Sequence, residues 1–290
     1  MAFAPLLMEG LTPEMEKIAK KELGETPLVK KESLEKIKRL IEKEPDFYPC
    51  MDDKFLLMFL RNKKHNIQRA FKALRNYYIF KEKYSGVYTD FLPSGVKNVM
   101  DANCYSMMPL RDAGGRLVII IRPGQCLDKG VTIENIFSAI LIVGTLAYRM
   151  EASSVCGCVT IIDLKGFSAQ QFYSLVSPKF IIFIFNCIQD CLPYRMREIH
   201  IVNESAFFNV FYNIIKFAIP KKLRDRFHMH GKNIEALHKH FSPEILPEEL
   251  GGKAGPVDST VFYNNALRLE SFAKEMIECG FRRTRSVNSG

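Results

Sequence analysis

The sequence has no tryptophan and no run of about 18 apolar residues of the kind that crosses a bilayer. The longest apolar stretch, Ile136 to Tyr148, is interrupted by Ser138, Gly144 and Thr145. The opening residues, MAFAPLLMEG, carry no basic n-region and turn polar at Glu9. No signal peptide is expected from them, and a cytoplasmic location is. No Cys-x-x-Cys pair occurs among the eight cysteines, which are expected to be reduced, buried thiols. Zinc needs more clustered ligands than these. Neither G-x-G-x-x-G nor G-x-x-x-x-G-K-S/T is present, so no glycine-rich loop cradles a phosphate. Without G-x-S-x-G, an α/β-hydrolase elbow is excluded.

What is present is ordinary for a globular chain. Apolar residues make up 47% and charged residues 25%, which excludes a disordered protein, a collagen and a coiled coil. A length of 290 residues is enough for about two domains. The net charge of +9 suits nucleic acid, a membrane surface or acidic ligands, and its distribution must choose among them.

Residues 13–43 are rich in Glu and Lys, and Leu34, Ile37, Leu40 and Ile41 mark one helix face until Glu44-Pro45 stops it. Asp52 or Asp53 caps a second helix containing Phe55, Leu56, Phe59 and Leu60. A third follows Asn66, with Ile67, Ala70, Phe71, Leu74, Tyr77 and Tyr78 apolar. A helical domain over 1–94 is expected. Beyond it, helices alternate with strands. Arg116–Ile121, with no polar alternation, reads as a strand buried on both faces, Val155–Ile162 as a second buried strand and Arg197–Asn203 as a third strand. A helix capped by Thr132 reaches about Met150, and another opens at Ser177-Pro178 and runs to Cys191 before Pro193. The implied second domain, 95–252, is α/β with parallel pairing through crossovers. The tail, 253–290, carries one more helix near 264–278.

The segment 207–219, FFNVFYNIIKFAI, is the most informative. On a helical wheel Asn209, Asn213 and Lys216 share an arc of about 60°, while the other ten residues spread over about 220°. One packing contact hides a stripe only somewhat wider than 100°. This helix is either a central core element or a lid over a greasy cavity that also touches lipid. The next residues favour the lid. Lys216, Lys221, Lys222, Arg224, Arg226 and Lys232 stand against one acid, Asp225, with Arg195 and Arg197 just upstream. Apolar surface beside cations makes an interfacial pair for anionic lipid.

Other signals carry less. His228-x-His230 and His238-x-His240 have the residue type of metal ligands. No Asp or Cys completes a site at a convincing spacing, so structural or surface roles are expected, and no metal or cofactor. Asp163 ends a buried strand where a catalytic acid could stand, but no local nucleophile or histidine partners it, and a turn role is expected. The aromatics beside the cations lie in a continuous apolar helix rather than on a basic sheet face, which argues against nucleic acid. The basic Phe281–Ser286 stretch is expected to be disordered, with added membrane attraction or phosphate acceptance as its options.

Taken in order, several segments resemble the CRAL-TRIO lipid-binding proteins. They are Asp163-Leu-Lys-Gly-Phe167; Pro193 with Arg197–Asn203; the lid; Lys222–Gly231; and Leu246-Pro-Glu-Glu-Leu-Gly-Gly252. Upstream, Phe59-Leu-Arg61 and Lys72–Tyr78 resemble the family's N-terminal helices. The His-Met-His-Gly segment is most similar to the alpha-tocopherol transfer protein branch. The resemblance implies an N-terminal helical bundle, then a mostly parallel sheet flooring an apolar cavity closed by a lid helix. It implies a monomeric carrier, not an enzyme, that exchanges one lipophilic molecule at phosphoinositide-containing endomembranes. Cavity-lining positions fall on Phe137, Ile140, Leu141, Gly144, Ile162, Ile184, Ile188 and Ile199, with Phe208, Phe211 and Ile215 from the lid. Phosphoinositide-contacting positions fall on Arg195, Arg197, Lys222 and Arg226, with Arg61 beside them. Ile140 and Gly144 replace small polar residues of the tocopherol branch, so a retinoid, another isoprenoid or a phospholipid stands beside tocopherol as ligand. Two other readings compete: an adaptor whose apolar helix grips a protein partner, and an enzyme centred on Asp163.

Overall fold

The computed structural model describes residues 3–127, 129–175, 178–188, 191–217 and 219–282. Local chemistry fixes the starts of the longer helices. Thr26, Asp52 and Asn66 side chains accept from the backbone N–H three residues on, opening helices Pro27–Glu42, Asp53–Asn62 and Ile67–Lys83. Thr132 and Asn135 exchange reciprocal hydrogen bonds at 3.2 Å ahead of Ile133–Tyr148, termed here the wall helix.

A two-residue strand, β1 (Phe47–Tyr48), begins the sheet structure. The main sheet follows as β2 (Tyr105–Met107), β3 (Leu117–Ile121), β4 (Cys158–Asp163), β5 (Met196–Val202) and β6 (Phe227–Met229), in that spatial order. β2 is antiparallel to β3, and every later pair is parallel, so the expected mostly parallel sheet is present. β7 (Gly280–Phe281) returns the chain to pair with β1.

Several boundaries differ from expectation. Val155 and Cys156 end a short helix, Glu151–Cys156, instead of starting a strand. Gly157 separates the two at φ 88°, and a Cβ there would lie 2.3 Å from the Arg195 carbonyl, so only glycine fits. The helix from Pro178 is described to Ile188, with 189–190 outside the described residues. The tail helix is two, Thr260–Arg268 and Glu270–Glu278. Arg282 lies over the Tyr48 ring at 4.1 Å, and the rest of the basic tail, 283–290, is outside the described residues.

The strand pleat sends alternate residues to two faces. Val118, Ile120, Val159, Ile161 and Val202 pack with Leu237, Phe241 and Ile245 on the back face. Ile119 and Cys158 share a cluster with the wall helix on the front face, while Ile199 and Ile201 meet Leu164, Phe167 and Phe172 there. The largest cluster runs through Phe55, Phe59, Tyr78, Val143, Leu146, Phe262 and Met276, so helices from both ends of the chain share one core.

Two cysteines depart from the reduced state expected of them. Cys104 and Cys126 form a disulfide, with Cα atoms 5.5 Å apart. Tyr105 pairs with Ile121, and the Arg122 N–H donates to the Cys104 carbonyl at 2.9 Å. The turn of helix after β3 then brings Cys126 over Cys104. Thiol titration of the denatured, unreduced protein should count six groups, the remaining cysteines, and eight after reduction. Closing a loop across 22 residues is worth roughly 3 kcal/mol, so Cys104→Ser with Cys126→Ser should lower unfolding stability by about that amount.

Candidate functional site

The wall helix is apolar on nearly every side, and its neighbours use that. Phe137 and Leu141 pack with Phe183 and Ile184 of the Pro178–Ile188 helix. Phe137 meets Phe180 and Phe183 edge-on at 5.2 and 5.3 Å, and Tyr88 stacks on Phe183 at 3.8 Å. Ile140 borders the main core. Gly144 faces hydroxyls instead: a Cβ there would lie 3.3 Å from the Tyr194 hydroxyl and 3.4 Å from that of Tyr105. The Tyr194 hydroxyl is 2.9 Å from Thr145 Oγ1, so a polar spot lies on an otherwise apolar helix.

The apolar run after Asn203 is helical only over Ala206–Ile215, termed here the gate helix. Phe207 and Phe208 face inward and meet Phe172 at 5.4 and 6.2 Å. The same cluster contains Ile162 and Ile199 of the sheet. The expected lining thus divides between two apolar groups, Phe137, Leu141 and Ile184 on one and Ile162, Ile199 and Phe208 on the other. The side chains of Ile188, Phe211 and Ile215 lie outside the described residues. Phe183, Phe172 and Phe207 join these groups without having been expected. Phe207 belongs to the apolar run that marked the gate helix, and no signal of that kind marked Phe172 or Phe183. A groove of about 460 Å³ lies elsewhere, lined by Leu6, Met108, Ala254 and Phe262 among others, and shares no residue with this set.

The gate helix also has an outer face. Val210 is 62% exposed and Phe217, just past its end, 78%; Ile182 on the neighbouring helix is 54%. Lys221 and Lys222 follow in solvent on the turn Lys221–Arg224.

The arginines behind them are less free. Arg195 and Arg197 both donate to Glu22 Oε2, at 2.9 and 2.5 Å. Arg197 Nε donates to the Cys156 carbonyl, and Arg226 Nη1 to the Met196 carbonyl. Burial and the charge of Arg197 push the Arg195 and Arg226 guanidiniums down from their ordinary range. Arg195 Nε is buried with no hydrogen-bond partner, an unspent donor in a cationic patch. Glu22 comes from the N-terminal region and was not foreseen.

Arg61 does not stand with this patch. It is 2% exposed and donates to Glu25 at 2.7 and 2.8 Å, to Glu151 at 2.7 Å and to Ser154 at 2.7 Å. Its guanidinium is consumed between the N-terminal helices and the helix Glu151–Cys156, and its carbonyl touches the patch, accepting from Arg195 Nη1 at 3.2 Å. Burial would raise the Glu25 carboxyl, but hydrogen bonds from Arg61 and His65 outweigh it and hold it down to about 2. A depressed carboxyl contributes stability that is fully present above its ordinary 4.5 and is lost as pH falls towards 2. Urea unfolding of Glu25→Gln should therefore show a flatter loss of stability between those pH values than the wild type shows.

Asp163 is held in a turn: its Oδ1 accepts from the Lys165 N–H at 2.9 Å and from Asn203 Nδ2 at 2.7 Å. The histidines separate. His238 lies 2.8 Å from the Leu250 carbonyl, whereas His228, His230 and His240 gather around His200 on the back of the sheet. Burial, with His228 and His240 adding to it, pushes the His200 ring down to about 3 against the opposing Glu198 bond.

A mostly parallel sheet with an apolar front face, a wall helix across it and a gate helix at its edge define a lipid-binding architecture. Residues 103–252 match the CRAL/TRIO domain, and the chain belongs to the CRAL-TRIO lipid-binding and transfer family. It is similar to alpha-tocopherol transfer protein-like of Homo sapiens, 31% identical over 93% of this chain and 79% of that protein. It is also similar to clavesin-2 of Homo sapiens, 29% identical over 87% of this chain and 78% of that protein. The crystal structure of Sfh5 aligns over 93% of this chain and 100% of that one, at 14% identity and a TM-score of 0.44. Among the described residues, no helix is long and apolar enough to cross a membrane.

Proposed function

We propose that the chain carries one small lipophilic molecule, tocopherol-like, a retinoid or another isoprenoid, between the wall helix and the sheet. It exchanges this cargo at membranes bearing phosphoinositides, working as a monomer without catalytic residues. Residues 95–252 form the carrier and 1–94 its scaffold. A lipid forfeits about 0.8 kcal/mol per CH₂ on entering water, so unassisted desorption is slow and an apolar lining speeds it. The observation that carries this reading is the two-sided gate helix. Phe207 and Phe208 face inward, while Val210 and Phe217 are exposed beside Lys221 and Lys222. Exposed apolar side chains next to cations suit an anionic bilayer surface. Ile162, Ile184 and Phe208 are only half-buried, as the walls of a loadable space would be.

Mass spectrometry of an organic extract of the purified protein tests the cargo. One lipophilic species near equimolar amount is expected, and a protein that neither yields nor takes up such a molecule overturns the reading. Arg195, Arg197, Lys222 and Arg226 form the anionic-lipid surface. Each cation near such a surface contributes about 1 kcal/mol. Arg197→Gln with Lys222→Gln should thus lower affinity for phosphoinositide vesicles roughly thirtyfold. An unchanged affinity removes both from the surface.

A further inference from the structure

The back of the sheet holds a cluster that the carrier reading does not use. His200 on β5 pairs in register with His228 on β6, and their rings stack at 4.8 Å. His230 follows β6 with its ring parallel to that of His200, and His240 lies 4.7 Å from His200 by ring centroids. His200 is fully buried, but the His240 side chain is 35% and the Glu198 side chain 28% exposed, so the group opens to solvent.

We propose that His200, His230 and His240 bind one divalent transition-metal ion of the zinc type, with Glu198 positioning His200. The first observation is geometric. One nitrogen from each of the three rings lies within 4.8 Å of the others. His200 Nδ1 and His230 Nε2 are 2.9 Å apart. A zinc–imidazole bond of about 2.0–2.1 Å places tetrahedral ligand nitrogens about 3.3 Å apart, so small ring rotations suffice. The second is the support behind the ligand. His200 Nε2 lies 3.0 Å from Glu198 Oε2. A carboxylate only accepts, so the ring proton sits on Nε2 and the Nδ1 lone pair faces His230. Glu198 is itself fixed, its Oε1 accepting from Arg116 Nη1 at 2.7 Å. A carboxylate behind a histidine that presents its other nitrogen is the arrangement that orients metal-bound imidazole. Three histidines leave a fourth position for water. The Glu198 charge stands between the ion and Arg116, and His228 flanks the ligands without being needed as one.

The test uses the full chain, free of any histidine tag and stripped with EDTA. Calorimetric titration with zinc chloride should show one ion per chain, and cobalt chloride should produce visible tetrahedral absorption bands. His240→Ala, at an exposed position that does not threaten folding, should weaken zinc binding at least tenfold. His230→Asn should do the same, and Glu198→Gln should weaken it ten- to a hundredfold as a positioning residue. Cys279→Ser should leave binding unchanged, which separates the histidines from thiol binding. The proposal is overturned if the wild type takes up no ion. It is equally overturned if His240→Ala and His230→Asn bind zinc like the wild type, or if Cys279→Ser alone abolishes uptake.

Discussion

Arg61→Ala should lower unfolding stability by about 3–5 kcal/mol, the usual cost of stranding one partner of a buried ion pair. The pair in question is enclosed, with side-chain exposures of 2% for Arg61 and 6% for Glu25. Without the guanidinium, the Glu25 carboxylate is left facing His65, and Glu151 keeps Lys30. Removing both charges at once, as Arg61→Leu with Glu25→Leu, should cost markedly less, because no buried charge is then left alone. Urea unfolding of the two single variants and the double variant completes the cycle. A single-variant cost under 1 kcal/mol would show that water reaches the pair and that it holds little of the fold together.

Val210→Asp combined with Phe217→Asp should cut vesicle docking and lipid transfer by well over tenfold while leaving stability nearly unchanged. Burying an exposed Val or Phe side chain is worth about 1.5–3 kcal/mol, and an aspartate adds repulsion from anionic headgroups. Because both side chains are more than half exposed, the folded chain loses little by the exchange. Co-sedimentation with phosphoinositide vesicles and fluorescence transfer between vesicles measure the two effects. Normal transfer by this variant would remove the gate helix from membrane contact.

Much of the front of the molecule was legible because its signals are local. Leu117–Ile121 is a continuous apolar run, and that is how a strand covered on both sides reads. Thr132 announced the wall helix through a cap written in adjacent residues. What stayed hidden depends on pairings across long separations. Tyr105–Met107 and Phe227–Met229 are three residues each at the sheet edges, too short for a period to show. Because β6 was missed, so was the register that sets His228 against His200, and the two His-x-His pairs showed no further ligand. Arg61 shared a residue type with the surface cations, but only the fold reveals Glu25 and Glu151 enclosing it. The Cys104–Cys126 bridge likewise joins residues with no telltale spacing.

Glu22 belongs to a single turn of π-helix, Ala19–Leu23, and presents one oxygen to two arginines. If these arginines meet a headgroup as proposed, that carboxylate would be its internal rival. A bilayer sparse in negative charge would have to dislodge it with a weak competitor, and Arg195 and Arg197 would stay folded back on their own chain. A polyphosphorylated headgroup offers several charges to one. Discrimination between membranes would then come from a contest the protein has already half decided, with the first helical turns serving as the latch.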